Sequence, residues 1–193
     1  MFRTMLSVAG VIATVSIAAS AAAGPIAPKG ITPNANIPIG TALPVLSALC
    51  TPDPAIVSVT LTKGARRGQV RISYVVANLG PSAWRSGANQ QGMHLRAVNA
   101  NTGGVFVSDR PLTGAAAAGA TMQRFTTPMI NNAFDDFEFA GHVDLLIGYD
   151  PDILIDGNTC NNDAETANNT VHIDNGQLLG FMRGAATSQT FRP

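Results

Sequence analysis

The chain has 193 residues, with 12 basic and 12 acidic side chains, and only 12% of its residues are charged. Such a balance excludes a broad field for nucleic acid or for an anionic membrane surface. The two cysteines take their meaning from the compartment in which the chain folds.

Residues 1–23, MFRTMLSVAGVIATVSIAASAAA, carry an early cation at Arg3 and an apolar run from Met5 to Ala19. Small residues at Ala19-Ser20-Ala21 and Ala21-Ala22-Ala23 suit signal peptidase, so the segment reads as a cleaved secretory signal. The run is too short and too rich in Ala and Ser for a membrane span, and no later segment approaches the ~20 apolar residues that a span needs. The expectation is an exported protein, extracellular, at the cell surface or periplasmic. Without Arg3 the balance is 11 basic against 12 acidic residues.

Residues 24–52 form a proline-rich arm, with prolines at 25, 28, 33, 38 and 44 in the stretch 24–48. Prolines at this spacing exclude a helix and favour an extended chain. The apolar content of NIPIGTALPVL suits docking along a sheet edge, its own or a partner's.

From Ala55 onward the apolar period changes to two, the mark of strands with one buried face. In IVSVTLT the residues Val57, Val59 and Leu61 share a face, and in QVRISYVVAN Val70, Ile72, Tyr74 and Val76 do so. Further strands are expected at 92–98, 104–108, 121–127, 141–149 and 169–173, separated by clusters such as NLGPSAW, NANTGG and PLTGAAAAG. Seven short strands with turn signals between them predict one antiparallel sandwich over residues 53–175. The four alanines of PLTGAAAAGATM could form one helical turn, but Gly114 and Gly119 favour a loop. The tail at 176–193, GQLLGFMRGAATSQTFRP, contains Leu178, Leu179, Phe181, Met182 and Phe191. Either it folds back on the sandwich, or with the arm it supplies a strand to a second copy, as in a self-associating fibre subunit.

Charge is segregated along the chain. Residues 63–124 hold eight basic side chains and one acidic, whereas residues 135–174 hold ten acidic and none basic. The readings are a solvated surface, pairing between neighbouring loops, or a dipolar face that attracts another copy. Within the acidic half lies YDPDILIDGNTCNNDAETANNTVHI, with five carboxylates and five asparagines. Asp150, Asp152, Asp156 and Asp163 are hard oxygen donors of the kind calcium takes. The spacing is not that of an EF-hand, because Gly157 directly follows Asp156 and no Asp stands at the required offsets. Asn and Asp also close turns through their own side chains, so a structural turn network is the other reading.

His94, His142 and His172 all fall on outward strand faces. Counting from the strand ends separates His142 from His172 by roughly 13 Å at ~3.3 Å per residue, too far for a shared metal. There is no G-x-S-x-G elbow, H-E-x-x-H or glycine-rich phosphate loop, and the adjacent Asp135 and Asp136 read as a polar turn. No enzyme is predicted. Trp84, following NLGPS, is either a plug over the core or an aromatic anchor for a partner.

The strand GQVRISYVVANLGPSA, together with HVDLLIGYDPD and the later ETANNTV, resembles the bacterial cell adhesion related domain (CARDB) over about residues 53–174. That family is an immunoglobulin-like module of secreted and surface proteins. It typically ends in a Val-rich strand, an Asp-Pro-Asp-like turn and a Glu-x-x-Asn-Asn-Thr approach to the last strand. This chain departs from the pattern by inserting ILIDGNTCNND before AET and by carrying tails at both ends. The resemblance implies an all-β, immunoglobulin-like antiparallel β-sandwich of about seven strands, to which this chain adds an extended N-terminal arm and a C-terminal tail. It places Cys50 and Cys160 at one end of the sandwich, which in an exported chain implies a disulfide closing a loop of about 110 residues. The function implied is a non-enzymatic, adhesion-like module that recognises protein or surface glycan through its end loops. The residues that would carry it are Asp156, Asn158, Asn161, Asn162 and Asp163, with Trp84 beside them. The alternatives are a self-assembling subunit and a calcium-stabilised envelope protein.

Overall fold

The computed structural model describes residues 50–193, so the expected secretory signal at 1–23 and residues 24–49 of the expected proline-rich arm lie outside the described residues. The strands are β1 (Pro54–Lys63), β2 (Val70–Asn78), β3 (Trp84–Ser86), β4 (Gln91–Val98), β5 (Val105–Pro111), β6 (Gly114–Ala116), β7 (Thr121–Thr126), β8 (His142–Tyr149), β9 (Thr170–Ile173) and β10 (Ser188–Phe191), with one helix, α1 (Asn175–Arg183). They build two four-stranded antiparallel sheets, β10-β1-β2-β7 and β5-β4-β8-β9, and a small β3-β6 ribbon. The chain crosses from one sheet to the other between β2 and β4, between β5 and β7, between β7 and β8 and between β9 and β10, so the two sheets form an all-β sandwich.

Alternation explains why the sheets pack. In β2 the residues Val70, Ile72, Tyr74 and Val76 are all buried while Arg71 is exposed. In the facing sheet, Leu95, Leu145 and Val171 lie on one rung, and Ala97, Val143 and Ile173 on the next. All six are buried, so the inner face is an uninterrupted apolar surface. One strand departs from the simple period. A bulge between Ile56 and Ser58 shifts the register of β1, so that Ile56, Val59 and Leu61 enter the core and Val57, expected there from alternation, does not.

The glycine that opens β8 is forced by space. Gly141 has φ +119°, and a Cβ there would fall 1.7 Å from the Val98 carbonyl oxygen.

All seven expected strands form, and the stretch expected to be a tail belongs to the sandwich. Helix α1 starts with a capping box in which the Asp174 side chain accepts from the Gln177 backbone N–H, and the Gln177 side chain accepts from the Asp174 N–H. Its glycines at 176 and 180 are poor helix formers, so packing must supply what propensity lacks. Leu178 and Phe181, three apart on one face, are both fully buried. The chain then returns as β10 along β1, pairing Phe191 with Val59 and Ser188 with Thr62, and so covers the β1 edge. The four alanines form no helical turn; Gly114–Ala116 pairs with β3 instead.

Because Phe181 completes the core, Phe181→Ala should lower unfolding free energy by about 3–5 kcal/mol in urea titrations. A loss below about 1 kcal/mol would mean that α1 lies on the sandwich without belonging to it.

Candidate functional site

The long β8–β9 connection, residues 150–169, lies at the end of the sandwich where β1 begins. A disulfide joins Cys50, just before β1, to Cys160 in this connection, with Cα atoms 4.8 Å apart and 110 residues between them in sequence. Around the bridge the two segments are laced together. Ala164 donates its N–H to the Pro52 carbonyl (2.9 Å), Asn168 Nδ2 donates to Asp53 Oδ1 (2.9 Å), and Ile56 donates to the Asn168 carbonyl (3.1 Å).

The Asn-Leu-Gly sequence at 78–80 closes the same end. Asn78 is fully buried; its Oδ1 accepts from Asp53 N–H (3.0 Å) and Gly80 N–H (3.2 Å), and its Nδ2 donates to the Ser82 carbonyl (2.8 Å). Gly80 sits so close to the Cys50–Asp53 segment that a Cβ would meet the Thr51 carbonyl oxygen at 2.4 Å.

Two carboxylates organise the β8–β9 connection. Asp156 Oδ2 accepts from Gln90 Nε2 (2.7 Å) and Asn161 Nδ2 (2.6 Å), while its Oδ1 accepts from Asn158 N–H (2.7 Å). Asn158 in turn donates to the Arg85 carbonyl (2.9 Å) and accepts from Cys160 N–H (3.1 Å). Asp163 Oδ2 accepts from the Tyr149 hydroxyl (2.6 Å) and Asn169 Nδ2 (2.5 Å), and its Oδ1 from Glu165 N–H (2.9 Å). Burial, and then the neighbouring Asp163 carboxylate, push the Tyr149 phenol far above its ordinary pKa, so it stays a donor.

Of the residues expected to meet a ligand, Trp84 and Asn161 are buried, at 2% and 0% exposure. The Trp84 indole N–H donates to Gln91 Oε1 (2.8 Å), and the Gln91 amide donates onward to the Asn161 carbonyl. Trp84 is thus the plug over the core and presents no face to a partner, which corrects the anchor reading.

The four carboxylates expected to form a calcium site are not brought together. Asp156 lies among Gln90, Asn158 and Asn161, Asp163 faces Tyr149 and Asn169, and Asp150 and Asp152 lean on each other, the hydrogen bond and charge of Asp150 raising the Asp152 carboxyl pKa. Among the described residues no three His, Cys, Asp or Glu side chains are arranged to hold a metal. Sequence reasoning passed over the first turns of the connection after β8. Leu154 and Ile155 are 74% and 84% exposed, next to buried Ile153. Their signal was an apolar triplet inside an otherwise polar, turn-forming stretch.

The histidines also need correction. His172 pairs across the sheet with Asp144, and the His142 and His172 rings lie 5.9 Å apart with Asp144 between them, 2.6 Å from His172 Nδ1 and 3.4 Å from His142 Nε2. The expected separation took the end of β8 at Tyr149 as level with the start of β9, whereas β9 begins opposite Leu146, which brings His172 level with Asp144. His94, farther along the face, pairs with Asp109 (2.9 Å).

Segregated charge produces little pairing. Among the described residues Arg67–Asp136 is the only Lys or Arg ion pair with a carboxylate, and it holds the Asp136 carboxyl below its usual range. It lies at the opposite end of the sandwich, beside a cleft of about 440 Å³ lined by Asn99, Asn101, Asp135 and Phe137 among others. Asp135 there accepts from Asn101 Nδ2 (2.7 Å) and Phe137 N–H (2.9 Å), so the adjacent carboxylates of Asp135 and Asp136 serve different partners.

Compared with family models, curated proteins and solved structures, the chain matches none.

Asp53 gives this end a pH dependence. Burial, reinforced by the charges of Asp163 and Glu165 and opposed by the Asn168 hydrogen bond, raises its carboxyl pKa. A raised folded pKa means that the folded protein takes up this proton at higher pH than the unfolded chain, so ionised Asp53 weakens the fold at neutral pH and acid relieves it. Asp53→Asn should therefore raise the melting temperature at about pH 7 in metal-free buffer, and the gain should vanish near about pH 4. A gain that is constant across the range, or a loss at neutral pH, would contradict the assignment.

Proposed function

We propose that the chain is an exported, non-enzymatic binding module, adhesion-like in the manner of the family it resembles, that recognises a protein partner through the β8–β9 connection. The observation that supports this most directly is the exposure of Leu154 and Ile155 in a loop fixed by a disulfide and two side-chain networks. Two adjacent large aliphatic side chains held in water gain free energy on docking, about 1.5–3 kcal/mol each when fully covered. A loop already ordered loses little further entropy when they dock.

The roles then divide. Asp156, Asn158, Asn161 and Asp163 shape the loop through their hydrogen bonds, and Leu154 and Ile155 make the contact. Asp150, Asp152 and Asp156 give the contact an acidic rim, which favours a partner with basic side chains around an apolar depression. Export is supported by the Cys50–Cys160 bridge, since disulfides persist in oxidising compartments, and among the described residues no helix is long and apolar enough to cross a membrane. Self-assembly through the C-terminal segment would require α1 and β10 to leave their own sandwich and expose Leu178 and Phe181.

Leu154→Ser/Ile155→Ser tests the reading without disturbing the core, because both side chains are exposed. Envelope and medium proteins crosslinked to the wild-type chain should be lost from the double variant, and affinity for the recovered partner should fall at least about tenfold. Equal recovery by both proteins would refute this contact. Recovery of a glycan alone, or of the chain alone, would overturn the protein-partner reading in favour of those ligands.

A further inference from the structure

Four buried side-chain oxygens at the disulfide end have no hydrogen-bond partner, the Oδ1 atoms of Asn161, Asn162, Asn168 and Asn169. Two of these residues, Asn168 and Asn169, are held by donating Nδ2 to a carboxylate, Asn168 to Asp53 and Asn169 to Asp163. Each carbonyl oxygen is therefore kept near a carboxylate, with no donor facing it. Leaving a buried amide oxygen unpaired costs roughly 1–3 kcal/mol, and native structures rarely accumulate several in one place. Turning the amides over does not help, because the oxygen would then face the carboxylate that the nitrogen now satisfies.

The surroundings are negative as well as oxygen-rich. Asp53, Asp163 and Glu165 lie near enough to act on one another electrostatically, and no Lys or Arg pairs with them among the described residues. A cleft of about 180 Å³, lined in part by Cys50, Thr51, Asn162 and Asp163, opens this region to solvent. Oxygens of this kind, amide carbonyls beside carboxylates, are the donors that a small hard cation takes.

We propose a calcium site formed by the carboxylates of Asp53 and Asp163 and the side-chain carbonyl oxygens of Asn162, Asn168 and Asn169. All five donors are hard oxygens, and calcium takes six to eight such ligands, amide carbonyls and waters included, in flexible geometry. Nitrogen and sulfur ligands that would select a transition metal are lacking from this set. Only Asp163 is shared with the four carboxylates that the sequence pointed to. The cation would tie the approach to β9 to the start of β1, at the base of the loop that carries Leu154 and Ile155. Affinity on the order of 0.1–1 mM, the range of extracellular modules, suits a partly open site.

The test uses the disulfide-intact protein stripped with EDTA and melted with increasing CaCl₂, with MgCl₂ and NaCl at matched ionic strength as controls. Millimolar calcium should raise the melting temperature by several degrees, and Asp163→Asn and Asp53→Asn should remove that response while Asp156→Asn keeps it. Should Asp163→Asn fold poorly, terbium supplies a second reading in the wild type. The Tyr149 hydroxyl is 2.6 Å from Asp163, so bound terbium should luminesce on tyrosine excitation, lose the signal to calcium and lose it in Tyr149→Phe. No calcium-specific shift at about ten times that affinity range, an equal shift with magnesium and sodium, or a response lost in Asp156→Asn but kept in Asp163→Asn would overturn the site.

Discussion

Hydrogen bonds from side-chain amides and loop N–H groups to two carboxylates, Asp156 and Asp163, decide the form of the functional end of this sandwich. The β8–β9 connection contains no helix or strand to satisfy its backbone. Asp and Asn side chains do so instead, and a hydrogen bond to an ionised carboxylate is worth about 1.5–3 kcal/mol, roughly twice a neutral one. The disulfide fixes the same connection to the start of β1, so the loop cannot drift from the core it covers. Trp84, Gln91 and Asn161 are then linked in one buried chain of hydrogen bonds. With its polar residues committed inward, the loop turns Leu154 and Ile155 to solvent.

The sandwich beneath supplies a frame with few free choices. Inner rungs such as Leu95, Leu145 and Val171 fix the register of three strands at once, since a slip of one residue would turn each apolar side chain outward. At the opposite sheet, α1 and β10 close the structure by burying Leu178, Phe181 and Phe191 and by covering the edge of β1. A chain that covers its own edge is protected from pairing with another copy there.

Strand positions were legible because alternation survives in any strand of six or more residues with one wet face. Of the elements of three or four residues, β3, β6 and β10 carry too few positions to show a period, while β9 was legible from Val171 and Ile173 flanking His172 after the Asn-Asn-Thr approach. Helix α1 was hidden by two glycines in nine residues, its stability coming from contacts that no local pattern records. The Cys50–Cys160 bridge was legible because topology, once the sandwich was assumed, left the two cysteines at one end. Counting misled for His142 and His172, where the end of β8 was taken as level with the start of β9 although β9 begins opposite Leu146. At the site, composition pointed to the right loop and to the wrong use of it. Carboxylates look like ligands in sequence, but the amide donors that occupy Asp156 and Asp163 come from residues up to 66 positions away.

The central claim is that residues 150–169 are an ordered loop held by these networks and by the bridge. Amide hydrogen exchange measures it directly. The N–H groups of Asn158, Cys160 and Glu165, which donate to Asp156, Asn158 and Asp163, should exchange far more slowly than in a free peptide. Asp156→Ala should release protection at Asn158 while the amides of β2 and β4 keep theirs. Exchange of those three amides at free-peptide rates in the wild-type, disulfide-intact protein would contradict the account.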